Sequence, residues 1–342
     1  MKNVLLHIIP AALALMAASC AVEDSSTQGQ EAQASLQQWL DINHPGVKAE
    51  ASGIYILEET AGTGTLWDAE LPYSFITYTV RSLNGSVTTN CEESMAKQLG
   101  TYVEGNYYGP RVQATGEDVS YAGVDALLEG MRLGGSRTAV VPAWLLTYSR
   151  YSSLQKYIDN CSSASSLIYT VTLYEQTDNL AQWEVNSIAD YVAANYGAGI
   201  EPADYTSSED GPDGTFYFIT TAAGSEDRST NGSFKLNYTG RLLNGQVFDT
   251  TNADEAKRAG IYDSTKSYAP ASVTLTTDWS DISLGSSTSL INGFKGGLYL
   301  MKQVGEKATV VFTSYHGYSS NGSGSSIPPY APLVFELELL AE

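Results

Sequence analysis

The chain has 342 residues, which corresponds to about two domains of ordinary size. Its 43% hydrophobic and 16% charged residues exclude an intrinsically disordered protein. The 18 basic and 38 acidic residues give a formal net charge of −20, which argues against nucleic acid as a partner because phosphate binding requires clustered Lys and Arg. The His residues lie far apart in the sequence and no metal-ligand spacing is present, so we expect neither a metal site nor a cofactor.

Residues 1–19 have the pattern of an export signal peptide. Lys2 is followed by an apolar run over residues 4–16, which is too short for a membrane-spanning helix. The Ala-Ala-Ser-Cys ending resembles the lipobox of bacterial lipoproteins, which implies a lipid on Cys20; an ordinary signal with a coincidental Cys is the alternative. We therefore expect a lipoprotein of the cell envelope, anchored to the outer membrane and facing the periplasm or the cell surface, with residues 20–35 as a flexible tether.

The remaining chain contains an internal repeat, because three segments recur in the same order. Residues 77–85, 123–131 and 167–173 match residues 237–245, 293–301 and 333–339. Helical periodicity over residues 35–42 and 185–195 precedes the two copies. These patterns predict a first domain over residues 36–178 and a second domain over residues 179–342.

Within each copy the pattern predicts strands, a hairpin, one short helix and a final strand. Asn-Gly pairs at residues 84–85 and 244–245 are strong hairpin signals. Phe234, Leu236 and Tyr238 alternate with polar residues, so one face of that strand points inward. A helix packed on an antiparallel sheet gives the fold class α+β.

The second copy carries a specific set of ordered motifs. They are Tyr-Thr-Gly at 238–240, Gly-Gln-Val-Phe-Asp at 245–249, Leu-Ile-Asn-Gly-Phe at 290–294, Met-Lys-Gln-Val-Gly-Glu-Lys-Ala at 301–308, Tyr318, Ile-Pro-Pro at 327–329 and Leu-Val-Phe-Glu-Leu-Glu-Leu at 333–339. With these motifs, residues 230–342 resemble the FKBP family of peptidyl-prolyl cis-trans isomerases. The resemblance implies two FKBP-like domains, each a bent antiparallel sheet wrapped on one short helix, with an extra N-terminal helix in each.

The resemblance also implies an activity that requires neither a nucleophile nor a metal. Rotation about an X-Pro bond has a barrier of roughly 18–20 kcal/mol, and a dry pocket that favours the twisted amide lowers it. The expected partners are proline-containing polypeptide segments, and the expected role is assistance in protein folding. The implied pocket residues are Tyr238, Phe248, Asp249, Leu290, Ile291, Phe294, Tyr318, Ile327 and Phe335.

Three of these residues receive specific roles from the resemblance. The Ile291 backbone N–H and the Tyr318 hydroxyl would hold carbonyl groups of the bound peptide, and Asp249 would lie at the pocket rim. Plain core packing is the alternative for Tyr238 and Phe335, taken alone. An ion pair with Lys257 or Arg258 is the alternative for Asp249.

The second copy also departs from the family pattern, which predicts weak to moderate activity. Phe294 replaces the Trp of the pocket floor, Tyr318 lies in Gly-Tyr-Ser instead of Ala-Tyr-Gly, and Ala271 stands where the family has a pocket Phe. The neighbouring His316 could be invoked as a base, but a lone loop His is typically solvated.

The first copy retains only part of this pattern and is predicted to be a degenerate, inactive domain. Tyr78, Tyr148 and Tyr169 fall at the places of Tyr238, Tyr318 and Phe335, whereas Val124 replaces the aromatic floor and Thr88-Thr89 replaces Phe-Asp. In the fold that the resemblance implies, the loops of Cys91 and Cys161 flank one cavity. We therefore expect a Cys91–Cys161 disulfide, with two buried free thiols as the alternative.

A second functional class stays open on the sequence alone. The eroded first copy and the abundant Tyr and Ser fit a non-catalytic binding or adhesion lipoprotein that uses FKBP-like scaffolds. Isomerase activity of the second domain would distinguish the two classes.

Overall fold

The computed structural model describes residues 28–116, 120–160, 165–205 and 214–342. The predicted signal peptide, Cys20 and Cys161 lie outside these described residues. Among the described residues, no helix combines the length and apolar character that crossing a membrane requires.

The first domain contains four helices and six strands in the described residues. Their order is α1 (Gln28–Asn43), β1 (Tyr55–Thr60), β2 (Tyr73–Ser82), β3 (Val87–Asn90), α2 (Glu93–Gln98), β4 (Arg111–Ala114), α3 (Ala122–Leu128), β5 (Ser136–Val141), α4 (Leu154–Asn160) and β6 (Leu167–Thr177). Helix α1 begins before the predicted residue 35, so the tether prediction is wrong for residues 28–35. The helix extends because it packs against α4, where the Cα of Gly29 lies close to the Ile158 backbone.

The second domain follows after a short connection at Asn179, which caps the next helix through its side chain. Its elements are α5 (Leu180–Tyr196), β7 (Phe216–Ala222), β8 (Glu226–Asp227), β9 (Gly232–Leu242), β10 (Val247–Thr250), α6 (Ala253–Arg258), β11 (Ala271–Leu275), β12 (Ser283–Leu284), α7 (Asn292–Leu300), β13 (Gln303–Val304), β14 (Lys307–Phe312) and β15 (Leu333–Leu340).

The two main sheets have corresponding strand orders. The first runs β1-β5-β6-β2-β3 with β4 also on β2, and the second runs β7-β14-β15-β9 with β10 and β11 both on β9. All of these pairs are antiparallel. The predicted α+β class is confirmed.

Each sheet packs a short helix on one face and the long N-terminal helix on the other. On β14, Val310 and Phe312 join the core under α7, whereas Val311 packs against Ile188 and Val192 of α5. Successive strand residues point to opposite faces, so one strand serves both layers. The first domain repeats this division, with Val140 under α1 and its neighbours Ala139 and Val141 under α3.

Both predicted Asn-Gly hairpin turns are present. Gly85 and Gly245 have φ values of +89° and +87°, a region that glycine adopts without steric strain. The Asn84 and Asn244 side chains each accept a hydrogen bond from the backbone N–H two residues later, at 2.9 and 3.0 Å. These turns set the register of β2 with β3 and of β9 with β10.

Candidate functional site

A bulge in β10 brings two consecutive site residues to the same place. Val247 pairs with Arg241 and Asp249 pairs with Gly240, so Phe248 is the extra residue of the strand. A bulge interrupts the strict alternation of side chains. Phe248 can therefore pack on the core while Asp249 bonds to Tyr238.

The glycine of the Tyr-Thr-Gly motif makes room for the aromatic rings of the site. A Cβ at Gly240 would lie 2.5 Å from Cε2 of Phe248 and 2.9 Å from Cε1 of Phe335. The two rings meet edge to face with centroids 5.5 Å apart, a favourable aromatic geometry. Residue 240 must therefore lack a side chain for these rings to pack where they do.

Phe294 forms the floor of the site from the first turn of α7. Its side chain is only 4% exposed, and its ring centroid lies 4.9 Å from that of Phe335 and 5.5 Å from that of Tyr238. Gly293 lets α7 pack closely on β14, since a Cβ there would lie 2.4 Å from the Phe312 ring. The floor is thus aromatic and buried.

The rim carries a carboxylate held by two partners. The Tyr238 hydroxyl donates to Oδ2 of Asp249 at 2.7 Å, and Lys266 forms an ion pair with Oδ1. Burial, followed by the negative charge of Asp249, raises the pKa of Tyr238 well above its ordinary value, so the hydroxyl stays protonated and continues to donate. The same two causes raise the pKa of Tyr318.

The alternative interpretation, in which Asp249 pairs with Lys257 or Arg258, is wrong. Lys257 pairs with Asp254, and Arg258 pairs with Glu255. Lys266 was missed because it lies in a loop 17 residues beyond Asp249, with no local pattern that marks it.

The α7 N-terminus supplies a backbone donor to the same place. Ile291 is the N-cap residue, and its N–H donates to no other residue in the described part of the chain. The N–H groups at a helix start have no partner within the helix, so they are available to a ligand. Leu290, Ile291, Tyr318 and Ile327 all pack in or against the core cluster that contains Phe294 and Phe335.

The loop that carries Tyr318 is fixed by buried hydrogen bonds. Glu184 on α5 accepts from the Ser314 N–H at 2.5 Å and from its hydroxyl at 2.8 Å. His316 is only 1% exposed and bonds Tyr205 through Nδ1 and Thr215 through Nε2. The expectation of a solvated His316 is therefore wrong; its ring anchors the loop and is not placed to act as a base.

The buried carboxyl of Glu184 should make the unfolding free energy depend on pH. Burial raises the pKa of its carboxyl from 4.5 to about 7, against the lowering effect of the Ser314 hydrogen bonds. Between pH 4.5 and about 7 the Glu184 carboxyl keeps its proton in the folded chain but has released it in the unfolded chain. The contribution of this group to the unfolding free energy is therefore fully present below pH 4.5 and is lost as the pH rises through 7. We expect the unfolding free energy of the wild type to fall over this range more steeply than that of Glu184→Gln.

Denaturant unfolding at a series of pH values checks this expectation. Glu201→Gln is the matched control, because Glu201 is exposed and should leave the slope unchanged. Equal slopes for the wild type and Glu184→Gln would contradict the prediction.

The first domain has a cavity of about 270 Å³ at the corresponding place. Tyr78, Val124, Tyr148 and Tyr169, which the sequence placed at the positions of the second site, line it. Val80 stands at the position of Gly240 and Thr89 at that of Asp249, as the pairing of β2 with β3 shows.

Cys91 has a structural role in the first domain. Its thiol sulfur accepts a hydrogen bond from the Tyr78 N–H at 3.1 Å, as the Thr251 hydroxyl does from Tyr238 at 3.0 Å. The thiol is buried and free, and burial raises its pKa. The bridge to Cys161, which lies outside the described residues, stays a prediction without structural support.

A loop of the first domain contacts the second domain beside its site. The Tyr107 N–H donates to the Ser325 carbonyl at 2.8 Å, and Gln246 donates to the Gly105 carbonyl at 3.2 Å. Ser325 lies two residues before Ile327, and Gln246 lies two residues before Phe248. The first domain therefore touches both segments that supply these side chains.

Comparison with known proteins identifies the second domain. Residues 225–340 match the family model described as FKBP-type peptidyl-prolyl cis-trans isomerase. A probable FKBP-type isomerase of Haemophilus influenzae is 30% identical over 127 residues, which are 37% of this chain and 42% of that protein. The chain thus spans less than half the length of this relative.

Shorter relatives are covered more completely. FK506-binding protein 1B of Aspergillus fumigatus is 34% identical over 106 residues, which are 31% of this chain and 74% of that protein. A solved peptidyl-prolyl cis-trans isomerase of Pseudomonas syringae is 23% identical, with a TM-score of 0.29 over 48% of this chain and 97% of that one.

Proposed function

Because the chain belongs to the FKBP-type peptidyl-prolyl cis-trans isomerase family, we propose that its second domain catalyses cis-trans isomerisation of X-Pro bonds in polypeptide substrates and so assists protein folding. The observation that carries the proposal is the meeting of an aromatic floor, a hydrogen-bonded rim carboxylate and an unpaired helix N–H at one place. These groups come from separate strands, loops and a helix, so local packing of one element does not explain their convergence.

The pocket performs the reaction by excluding water and by holding the peptide. The proline ring packs against the aromatic cluster of Phe248, Phe294 and Phe335, where few hydrogen-bond donors stabilise the planar, conjugated amide. Amide resonance favours the planar ground state through its charged oxygen, and an apolar surrounding weakens that advantage. The twisted amide is therefore stabilised relative to the planar one, which lowers the barrier.

Two donors fix the peptide in this pocket. The Ile291 N–H and the Tyr318 hydroxyl donate to carbonyl groups of the bound peptide, which orients the X-Pro bond in the pocket. Asp249 holds the Tyr238 hydroxyl away from the proline ring and fixes the rim. Proton transfer is not part of this reaction.

Two substitutions test the assignment on the full chain. Asp249→Ala removes the acceptor of Tyr238 and the partner of Lys266, and we expect kcat/KM for a proline-containing peptide to fall about tenfold. Tyr318→Phe removes one hydrogen bond to the peptide, and we expect a KM increase of about fivefold with little change in kcat.

Matched controls lie close to each substitution. Asp254→Ala removes an exposed carboxylate on α6, and Tyr315→Phe removes an exposed hydroxyl in the Tyr318 loop. Both controls should retain wild-type rates. Unchanged rates in Asp249→Ala and Tyr318→Phe would instead favour the non-catalytic scaffold function.

We also propose that Cys20 carries a lipid that anchors the protein to the outer membrane. Support comes from the apolar run over residues 4–16 and the Ala-Ala-Ser-Cys sequence. One acyl group binds a membrane only marginally, so stable anchoring requires more than one chain on the cysteine.

The anchoring proposal predicts a change of location. In cells given a labelled fatty acid, the wild type is expected to take up label and to sediment with membranes. Cys20→Ser should do neither, while its isomerase activity in the extract persists because the site lies far along the chain. A labelled Cys20→Ser protein would contradict the proposal.

A further inference from the structure

The first domain contains a cavity that the proposed isomerase function does not use. It measures about 270 Å³, and its lining consists mainly of aliphatic residues and tyrosines. The aliphatic residues include the buried Leu127 and Val124. Val124 leaves open the space that Phe294 fills in the second domain. The cavity is therefore a consequence of replacing an aromatic floor by valine.

The chemistry of the lining selects an uncharged group. Among the described residues that line the cavity there is no Lys, Arg, His, Asp or Glu, and the nearby Arg150 and Asp125 pair with each other. Burying a charge there would be costly, because nothing in the lining could pair with it. An aliphatic, aromatic or prolyl side chain meets no such cost and gains from leaving water.

The hydroxyl of Tyr169 is available inside the cavity. The Tyr169 hydroxyl is half-buried and bonds no residue in the described part of the chain, and burial raises its pKa to about 12, so that it remains a donor. A hydroxyl that lines the cavity without a protein acceptor can donate to a ligand that brings one.

The rim is held in a fixed shape. Arg150 donates to the carbonyls of Ser120 and Gly116 at 3.1 and 2.8 Å and forms an ion pair with Asp125 at 2.7 Å. Tyr121 and Tyr148, on either side of this anchor, pack with ring centroids 4.4 Å apart and ring planes tilted by 46°, although Tyr148 is 76% exposed. The opening therefore exists before a ligand arrives, which reduces the entropic cost of binding.

We propose that this cavity binds one uncharged apolar side chain of an extended polypeptide segment, with the Tyr169 hydroxyl donating to a backbone carbonyl of that segment. A volume of about 270 Å³ lies just below the range of sites for drug-sized ligands, which favours a single side chain with its flanking peptide groups. Binding occurs without isomerisation, because Thr89 and Val124 replace the rim carboxylate and the aromatic floor. This inference does not depend on the activity of the second domain.

The test uses the full chain with methyl-labelled Val and Leu and a set of capped peptides. The peptides have one length and differ only in a central Leu, Phe, Pro or Glu. We expect the Leu, Phe and Pro peptides to shift the methyl signals of Val124, Leu127 and Val171 in a saturable manner, and the Glu peptide to leave them unchanged. The methyl signals of Val310 and Leu298 report the second domain separately.

Two variants assign the site. Tyr169→Phe should weaken binding by about threefold to tenfold, and Val124→Phe should abolish it by filling the cavity. Tyr174→Phe is the matched control, because Tyr174 lies exposed on the same strand outside the cavity. If the Val124→Phe variant does not fold, the peptide affinity of the Tyr169→Phe variant alone tests the proposal.

Several results would overturn the proposal. They are the absence of saturable shifts at Val124 and Leu127, equal binding of the Glu peptide, and wild-type affinity in Tyr169→Phe. Shifts that grow with protein concentration without peptide would identify a second copy of the chain as the occupant and would also overturn it. Wild-type isomerase rates in Tyr169→Phe would show that any loss of binding is separate from the second domain.

Discussion

Replacement of Phe294 by valine is expected to lower kcat/KM of peptide isomerisation by about thirtyfold. The substitution gives the second domain the floor residue of the first, where Val124 leaves a cavity. Water or a loosely held proline then occupies the space of the ring, so the apolar surrounding and the position of the amide are both lost. A loss of about 2 kcal/mol of transition-state stabilisation corresponds to this factor.

Stability must be separated from activity in this experiment. Phe294 is buried, so we expect the unfolding free energy to fall by about 2 kcal/mol as well. Phe234→Val is the matched control, because Phe234 is buried in the same core cluster at the start of β9, away from the rim and floor. Equal losses of activity in the two variants would show that Phe294 contributes only to packing.

Gly240→Ala is expected to reduce activity by more than about tenfold. The added Cβ would lie 2.5 Å from the Phe248 ring and 2.9 Å from the Phe335 ring, so both walls of the pocket must move. Overpacking of this kind costs about 1–3 kcal/mol of stability. The bound proline loses its aromatic contacts even if the strand keeps its register.

Gly297→Ala provides the control for overpacking. Its added Cβ would lie 2.8 Å from Val310 and 3.0 Å from Leu337, in the core and away from the pocket rings. We expect a comparable fall in melting temperature and near wild-type isomerase rates. If the Gly240→Ala variant is fully folded and keeps wild-type isomerase activity, the tight fit of the Phe248 and Phe335 rings around residue 240 is contradicted.

The sequence predicted the second site because its residues lie in short motifs. Phe248-Asp249, Leu290-Ile291 and Ile327 stand within a few residues of a turn, a helix start or a strand, so local patterns place them. The placement of Tyr238, Phe294 and Phe335 against one another followed from the family resemblance and agrees with the ring geometry. Periodicity alone would have left these aromatic residues as plain core.

The first domain was harder to interpret because its pattern is defined by replacements. Val124, Thr89 and Cys91 each differ from the second copy, and a list of differences does not show what space or bond they leave. The structure shows that Val124 opens a cavity and that Cys91 takes the hydrogen-bonding place of Thr251. Both results depend on which atoms lie across the sheet.

The sequence by itself determined the α+β class and both Asn-Gly hairpins, because each follows from the chain within a few residues. Only the tertiary structure decided that Lys266 pairs with Asp249, that His316 is buried between Tyr205 and Thr215, and that Glu184 holds the Ser314 turn. These contacts join residues 17 to 130 positions apart. Their energies arise from burial and hydrogen bonding that exist only once the sheet has brought distant segments together.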